Sequence, residues 1–248
     1  MGLFVRDDDY DESKRMTGFN RYKQLLSFFS GHWTILNIIT FLAALPLMIS
    51  ITLSILSSSI LILIPSCFIS GMILGPFLAA LADSIQRGLR EDTNNRWQNY
   101  KKGLRQNIFC SLIPGAILGL FIGVYSFLFY MVVYTDAITL SPATIALILF
   151  SIILVLNFQN LYWPQLVLFN QPFKMTFLNI LLFSSKYLWK VLGIVLLEMI
   201  YIAFFIIFAP VTLIVVPFLG IWYFIFFSQF LLYDKLNLEL EIEKRYNL

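Results

Sequence analysis

The sequence predicts an all-α, polytopic integral membrane protein with six transmembrane helices and both termini in the cytoplasm. Of its 248 residues, 59% are hydrophobic and only 12% are charged, whereas an ordinary soluble domain carries about 25% charged residues. The mean hydropathy is +0.82. A soluble core of this length could not hide so much apolar surface from water. The composition therefore excludes an ordinary soluble enzyme and indicates that lipid covers much of the surface.

Long uncharged runs define the predicted spans. No Lys, Arg, Asp or Glu lies between Lys23 and Asp83, and about 20 apolar helical residues cross a hydrocarbon core, so this run accommodates two spans. Ser141 and Pro142 form a helix start, and Trp163-Pro164 is expected to end that helix. Within one membrane domain over 1–248, the predicted spans are 33–53, 60–82, 108–134, 142–161, 191–209 and 211–233. Residues 1–32 form a predicted arm, 83–107 an amphipathic segment and 234–248 a tail.

The distribution of cations predicts the orientation. With six spans and a cytoplasmic N-terminus, all 17 Lys and Arg residues fall in cytoplasmic segments, as the positive-inside rule expects. Five spans would place the cations of the tail outside, so that arrangement ranks second. The expected location is a membrane that the chain crosses several times, with the N- and C-termini in the cytoplasm.

The segment 83–107 is the first candidate functional region. Apolar and aromatic residues lie at helical spacing, with a break expected at 91–95 and a new N-cap at Thr93 or Asn94. A basic helix with an aromatic face suits a membrane surface or a partner's groove, and both alternatives stay open here. The predicted docking residues are Arg87, Arg90, Trp97, Tyr100, Lys101, Leu104 and Arg105.

Glu198 is the second candidate, because it is the only charged residue between Val191 and Tyr233. An ionisable group inside a span is costly and is a functional candidate by default. It is expected to be protonated or hydrogen-bonded to an amide or hydroxyl of a neighbouring span. Its role is either a structural hydrogen bond between helices or a proton- or substrate-coupled one. The expected partners are Asn37, Thr40, Asn157 and Gln159.

Two other patterns have structural interpretations. Gly71, Gly75 and Pro76 in the second span predict close helix packing. The acidic run 7–11 has the spacing of a magnesium–diphosphate motif, but it lies in a short arm without a second cluster, which favours a solvated arm.

Several classes of function are disfavoured. One histidine and two separated cysteines cannot supply the usual zinc ligands, and no phosphate-binding loop, zinc-protease or nucleophile-elbow motif occurs. We therefore expect no catalytic residues, no metal and no cofactor. A net charge of +3 does not indicate a nucleic-acid partner.

Several segments resemble the YesL-like family of bacterial integral membrane proteins. They are Met1-Gly2-Leu3-Phe4, Asp9-Tyr10-Asp11, Gly75-Pro76 with Ala79, Ala80 and Arg87, and the run 95–107, NRWQNYKKGLRQN. In that family an aromatic residue, basic residues and an Asn lead into the third span. The likeness covers about residues 1–130, with Glu12-Ser13-Lys14 replacing the family's Gly/Pro-rich link, and extends further only by topology.

The resemblance implies a role rather than a chemistry. The family has no established activity, and its members are commonly encoded beside carbohydrate ABC importers. The implied function is a non-enzymatic accessory subunit of a transport complex, with ABC permease subunits, their ATPase and membrane lipid as partners. The alternative is an independent small-solute transporter or channel that uses Glu198. The oligomeric state is left open.

Overall fold

A computed structural model describes residues 16–92, 95–135, 140–169 and 173–245, and in these ranges it contains helices and no strand. The all-α prediction is confirmed. The elements in chain order are α1 (Gly18–Leu56), α2 (Ile60–Leu89), α3 (Arg96–Val133), α4 (Pro142–Phe169), α5 (Phe173–Lys186), α6 (Leu188–Ile207), α7 (Ala209–Val215), a π-helical turn (Val216–Gly220), α8 (Ile221–Leu240) and α9 (Ile242–Arg245).

Among the described residues, six helical segments are long and apolar enough to cross a membrane: α1, α2, α3, α4, α6, and the π-helical turn continued by α8. This confirms the prediction of a multi-pass membrane protein. Large apolar side chains such as Leu61, Phe109 and Ile207 are exposed on these helices. So much exposed apolar surface is not found on soluble monomers, and lipid is the environment that it suits.

The helices are longer than the predicted spans. α1 begins at Gly18 and has 39 residues, about 58 Å of helix against a hydrocarbon core of about 30 Å. Residues 18–32 of the predicted arm are therefore helical, and α3 likewise begins at Arg96 rather than near 108. Charged residues mark where lipid ends, whereas the backbone hydrogen bonds of a helix continue into the aqueous region.

The predicted segment 83–107 is continuous with the spans on either side, and the break expected within it at 91–95 lies between α2 and α3. Its first half is the end of α2 and its second half is the start of α3, joined by a short turn. The turn uses left-handed backbone at Glu91 (φ 66°) and at Asn95 (φ 44°), and Asn95 is the N-cap of α3. The predicted caps Thr93 and Asn94 lie outside the described residues, as does the acidic run 7–11.

Two more boundary predictions are wrong. α4 does not break at Trp163-Pro164 but continues through Pro164 to Phe169. The last two spans are both present and divide close to the predicted position, with α6 ending at Ile207, but α7 and a π-helical turn lie between α6 and α8, so the last span begins at Val216 rather than at 211. α8 also extends beyond Tyr233 to Leu240, so part of the predicted tail is helix.

α2 and α3 pack along most of their length through glycine. A Cβ atom at Gly71 would lie 2.4 Å from the carbonyl oxygen of Gly115, and one at Gly75 would lie 2.2 Å from that of Ser111. Gly119 and Gly123 make similar approaches to Cys67. Small residues at four-residue spacing permit this backbone contact, and Pro76 is buried on the same helix.

The ends of the helices that carry most of the charge meet at one end of the bundle. The Arg21 guanidinium of α1 donates a hydrogen bond to the carbonyl oxygen of Leu89 at 2.7 Å and lies 5.3 Å from the ring centre of Tyr233 on α8. The Lys186 ammonium at the end of α5 lies 2.7 Å from Glu239 of α8. We call this region the charged end.

Candidate functional site

Arg87, one of the predicted docking residues, forms ion pairs within the charged end. Its guanidinium lies 3.0 Å from the Asp83 carboxylate and 3.1 Å from that of Asp92. Asp83 in turn packs against α3, because a Cβ atom at Gly103 would lie 2.8 Å from Asp83 Oδ2. Arg87 therefore helps to fix the turn between α2 and α3.

Arg90 and Tyr100 are buried, with 4% and 3% of their surfaces exposed. Tyr100 stacks on Trp97 at 5.6 Å between ring centres and belongs to the buried cluster with Leu25, Phe29 and Trp33. Neither residue is available to a docking partner, which corrects that part of the sequence prediction. The predicted aromatic stripe points partly inward, because α3 packs on α2 where a surface helix was expected.

The exposed residues of this region form a different stripe. Trp97 is 47% exposed, Lys101 and Arg105 are also exposed, and the three follow one another at four-residue spacing on α3. The Lys101 ammonium lies 5.5 Å from the ring centre of Trp97. We call these three residues the docking stripe. Leu104 is half-buried beside it.

The opposite side of the same helical turns is buried. Tyr100, Gly103, Asn107 and Ser111 face the rest of the protein, and the Asn107 amide donates to the carbonyl oxygen of Gly103 at 2.9 Å. The docking stripe therefore stands on a helix that is held in place from behind.

Salt bridges also fix the other side of the charged end. Glu239 accepts hydrogen bonds from Lys186 at 2.7 Å and from the Tyr187 hydroxyl at 2.5 Å. The hydrogen bond with Glu239 raises the pKa of Lys186 above its ordinary value, so this lysine stays charged at neutral pH.

Glu198 lies in the middle of α6 and is 2% exposed. Its Oε2 accepts a hydrogen bond of 2.6 Å from the Asn160 amide of α4. The Gln229 amide of α8 donates to the main-chain oxygen of Asn160 at 2.6 Å, and the Gln86 amide of α2 donates to Gln229 Oε1 at 2.9 Å. The four side chains form a polar network that joins four helices.

The partners predicted for Glu198 are wrong. Thr40 donates to the carbonyl oxygen of Leu36 in its own helix, Asn157 exchanges hydrogen bonds with Ser184, and Gln159 accepts from Trp163. The real partner, Asn160, is one of several amides in the same stretch. Sequence spacing alone does not say which amide turns toward α6.

Asn37 instead forms hydrogen bonds with the helix that is interrupted by the π-helical turn between α7 and α8. Its amide nitrogen donates to the carbonyl oxygens of Val216 (2.9 Å) and Pro217 (2.6 Å). Its Oδ1 accepts from the main-chain N–H groups of Ile221 (3.2 Å) and Trp222 (2.8 Å). One side chain thus satisfies backbone groups that the π-helical turn frees, as a helix break inside a membrane requires.

Sequence reasoning missed Asn160, Gln229 and Gln86 as a network. The signal was present, because each is an amide within or at the edge of a long apolar run, and polar groups at membrane depth seek partners on neighbouring helices. Within the described parts of the chain, no group of three or more His, Cys, Asp and Glu residues could hold a metal ion.

Comparison of the chain with protein-family models, with curated proteins and with solved structures gave no match. The resemblance to the YesL-like family stays a prediction. Function is therefore inferred from the residues and their geometry.

Proposed function

We propose that the chain is a non-enzymatic accessory subunit of a membrane transport complex, which it joins through the docking stripe. The observation that carries this proposal is the contrast between the two sides of α3. Trp97, Lys101 and Arg105 are exposed, while Tyr100 and Gly103 lock the same turns against the protein. An exposed aromatic residue flanked by cations on a fixed helix is a good anchor, since Trp and Arg dominate binding energy at interfaces.

The partner that fits this stripe is an acidic, partly apolar surface of another membrane protein at the same side of the bilayer. Two cations on one helix face attract such a surface and orient it. The resemblance of the run 95–107 to the YesL-like family supports the permease subunits and ATPase of a carbohydrate ABC importer as that partner.

The same charged end supports a proposed location. The structure gathers the cation-rich ends of α1, α2 and α3 and the ends of α5 and α8 on one side. By the positive-inside rule such a side faces the cytoplasm, which supports a cytoplasmic location for the docking stripe and for both termini. The resemblance to the YesL-like family supports the bacterial plasma (inner) membrane as the membrane concerned.

Affinity purification in mild detergent from the native host tests this proposal, with mass spectrometry and stoichiometry as the readout. Wild type should recover the permease pair and its ATPase in equal amounts. The double variant Lys101→Glu/Arg105→Glu should lose at least about tenfold of them, because like charges then face each other across the interface. The control Lys244→Glu reverses one charge on an exposed residue of α9 and should keep the complex.

The proposal fails if the double variant recovers the importer as wild type does. It also fails if wild type recovers no transporter subunit. If the stripe binds anionic lipid only, the double variant will lose binding to anionic vesicles while purification from the host recovers no protein partner.

The second candidate, an independent transporter or channel, is favoured by one observation. Glu198 Oε1 is buried and receives no hydrogen bond from the described residues, although the carboxyl group belongs to the polar network that joins four helices. Purified protein in proteoliposomes should then transport solute, and Glu198→Gln should abolish the flux. Absence of flux from pure protein under any imposed gradient would reject this candidate.

A further inference from the structure

The Glu198 carboxyl group has no charge partner. None of the ion pairs in the described parts of the chain involves it. On α6 the nearest cation in sequence is Lys190, eight residues earlier or about 12 Å along the helix. The charged groups that interact with Lys190 are Asp234 and Lys235, in the C-terminal half of α8.

The helices that meet Glu198 bring no compensating charge. α4 contains no Lys, Arg, Asp or Glu. The charged residues Asp83 and Arg87 of α2 pair with each other at the charged end, and Glu239 of α8 pairs with Lys186. The other titratable groups on these helices are tyrosines and one cysteine: Tyr162 on α4, Tyr201 on α6, Tyr223 and Tyr233 on α8, and Cys67 on α2.

These uncharged titratable groups cannot balance a carboxylate. The Tyr201 hydroxyl donates to the carbonyl oxygen of Gly220, and the Tyr162 hydroxyl donates to that of Cys110. The Tyr223 hydroxyl accepts a hydrogen bond from the Tyr22 hydroxyl. Burying an ionised carboxylate without a charge partner is costly, and such groups become neutral instead.

The hydrogen-bond donors around the Glu198 carboxyl group also favour its neutral, protonated form. Asn160 supplies one hydrogen bond, to Oε2, at 2.6 Å. Oε1 is buried, and no hydrogen bond from a described group reaches it. The Ser228 hydroxyl of α8 is near enough to interact with the carboxyl group, but its single hydrogen atom is within reach of the carbonyl oxygens of Phe224 (3.2 Å) and Ile225 (3.1 Å) of its own helix. Ser228 Oγ is then free to accept a hydrogen bond, and a hydroxyl has two lone pairs for that purpose.

We propose that Glu198 is a proton-binding site, occupied at neutral pH. The bound proton sits on Oε1 and is donated to Ser228 Oγ of α8, while Oε2 accepts from Asn160 of α4. The bound proton thereby joins α6 to α8, while the Asn160 amide joins α4 to α6 through its own hydrogen. Loss of the proton leaves an unbalanced charge between these helices and weakens the contact. This site is separate from the docking stripe and does not depend on it.

Infrared spectroscopy of the purified full chain in lipid nanodiscs tests the proposal. At neutral pH, wild type should show the C=O stretching band of a protonated carboxylic acid, and Glu198→Gln should lack it. The matched control Glu239→Gln removes an ion-paired carboxylate of α8 and should keep the band. A wild-type spectrum without the band, or a band that persists in Glu198→Gln, overturns the proposal.

Two further variants keep the test informative if Glu198→Gln fails to fold. Glu198→Asp should keep a protonated-acid band at a changed frequency, and an unchanged frequency places the acid elsewhere and overturns the proposal. Ser228→Ala should move the wild-type band to higher frequency, because the acid loses its hydrogen-bond acceptor. No movement in Ser228→Ala overturns the assignment of Ser228 as the acceptor. Flux and co-purification measurements do not enter these results, so the proton site and the proposed function fail independently.

Discussion

The α2–α3 pair and the half of the bundle formed by α4, α6 and α8 are held together in different ways. α2 and α3 touch backbone to backbone through Gly71, Gly75 and their opposite residues. The other half is joined by single buried polar side chains, Glu198, Asn160 and Gln229 among them, and contains an interrupted helix. Close packing in lipid depends on van der Waals contact and polar contact on a few hydrogen bonds.

The difference teaches where a membrane protein of this kind can tolerate change. A glycine contact cannot accept a larger side chain, because the two backbones would have to move apart and the interface between the helices would be lost. A polar network can change its protonation or exchange one hydrogen bond for another. The proposed docking surface therefore lies on the half packed through glycine, and the proposed proton site lies in the half joined by polar side chains.

The largest effect is expected at the glycine contact. Gly75→Ala places a Cβ atom 2.2 Å from the carbonyl oxygen of Ser111, and overpacking of this kind costs about 3 kcal/mol. The free energy of unfolding in bicelles measures the loss. The control is Gly193→Ala on α6, where a Cβ atom meets nothing within 4 Å, and it should lose no stability. Equal stability of the two variants would contradict the close contact.

A smaller loss is expected at the interrupted helix. Asn37→Leu leaves two main-chain carbonyl oxygens and two main-chain N–H groups without the side-chain partner they now have. Because unpaired buried groups are costly, the free energy of unfolding should fall by about 2 kcal/mol. Thr40→Val, one turn further along α1, removes only a hydrogen bond within that helix and should change stability by less than about 0.5 kcal/mol. A loss no larger than that of Thr40→Val would refute the role of Asn37.

The hydrogen bond between Asn160 and Glu198 should be detectable as an energetic coupling. A double-mutant cycle with Asn160→Leu and Glu198→Met is expected to give about 1 kcal/mol, as hydrogen bonds between transmembrane helices do. The readout is again the free energy of unfolding. Strict additivity of the two substitutions would mean that the 2.6 Å contact does not stabilise the bundle.

The smallest effect is expected at Tyr100. Its hydroxyl oxygen is buried and has no hydrogen-bond partner in the described ranges, so Tyr100→Phe should change the free energy of unfolding by less than about 0.5 kcal/mol. It should also leave recovery of the transport complex unchanged, since the residue is not on the surface. Loss of the complex in Tyr100→Phe would return Tyr100 to the docking surface.

The class of the protein and the number of its spans follow from the sequence because they depend only on the proportion of charged residues and on the lengths of the uncharged runs. Charge is excluded from lipid, so the run without charge between Lys23 and Asp83 reports two spans whatever the packing. Helix ends do not follow in the same way. Gly18 and Arg96 begin helices that continue outside the lipid, where the hydropathy pattern carries no information about backbone structure.

The candidate site was only half predictable for a related reason. Glu198 stands out because one charge in a long apolar run is unusual. Its partner depends on the rotation of α4, which selects Asn160 over Asn157 and Gln159. The docking stripe depends on the rotation of α3 in the same way, since packing at Gly103 turns Tyr100 inward and Lys101 outward.

The most direct test of the docking proposal is site-specific photocross-linking in the native host. A photoreactive phenylalanine derivative replaces Trp97 in one variant and Trp189 in the other, because Trp189 is also strongly exposed, at 85%, but lies at the start of α6. We expect a covalent adduct with a permease or ATPase subunit of an ABC importer from position 97 and none from position 189. Absence of an adduct from position 97, or equal adducts from both positions, would contradict the proposal that the docking stripe is the surface through which this protein acts.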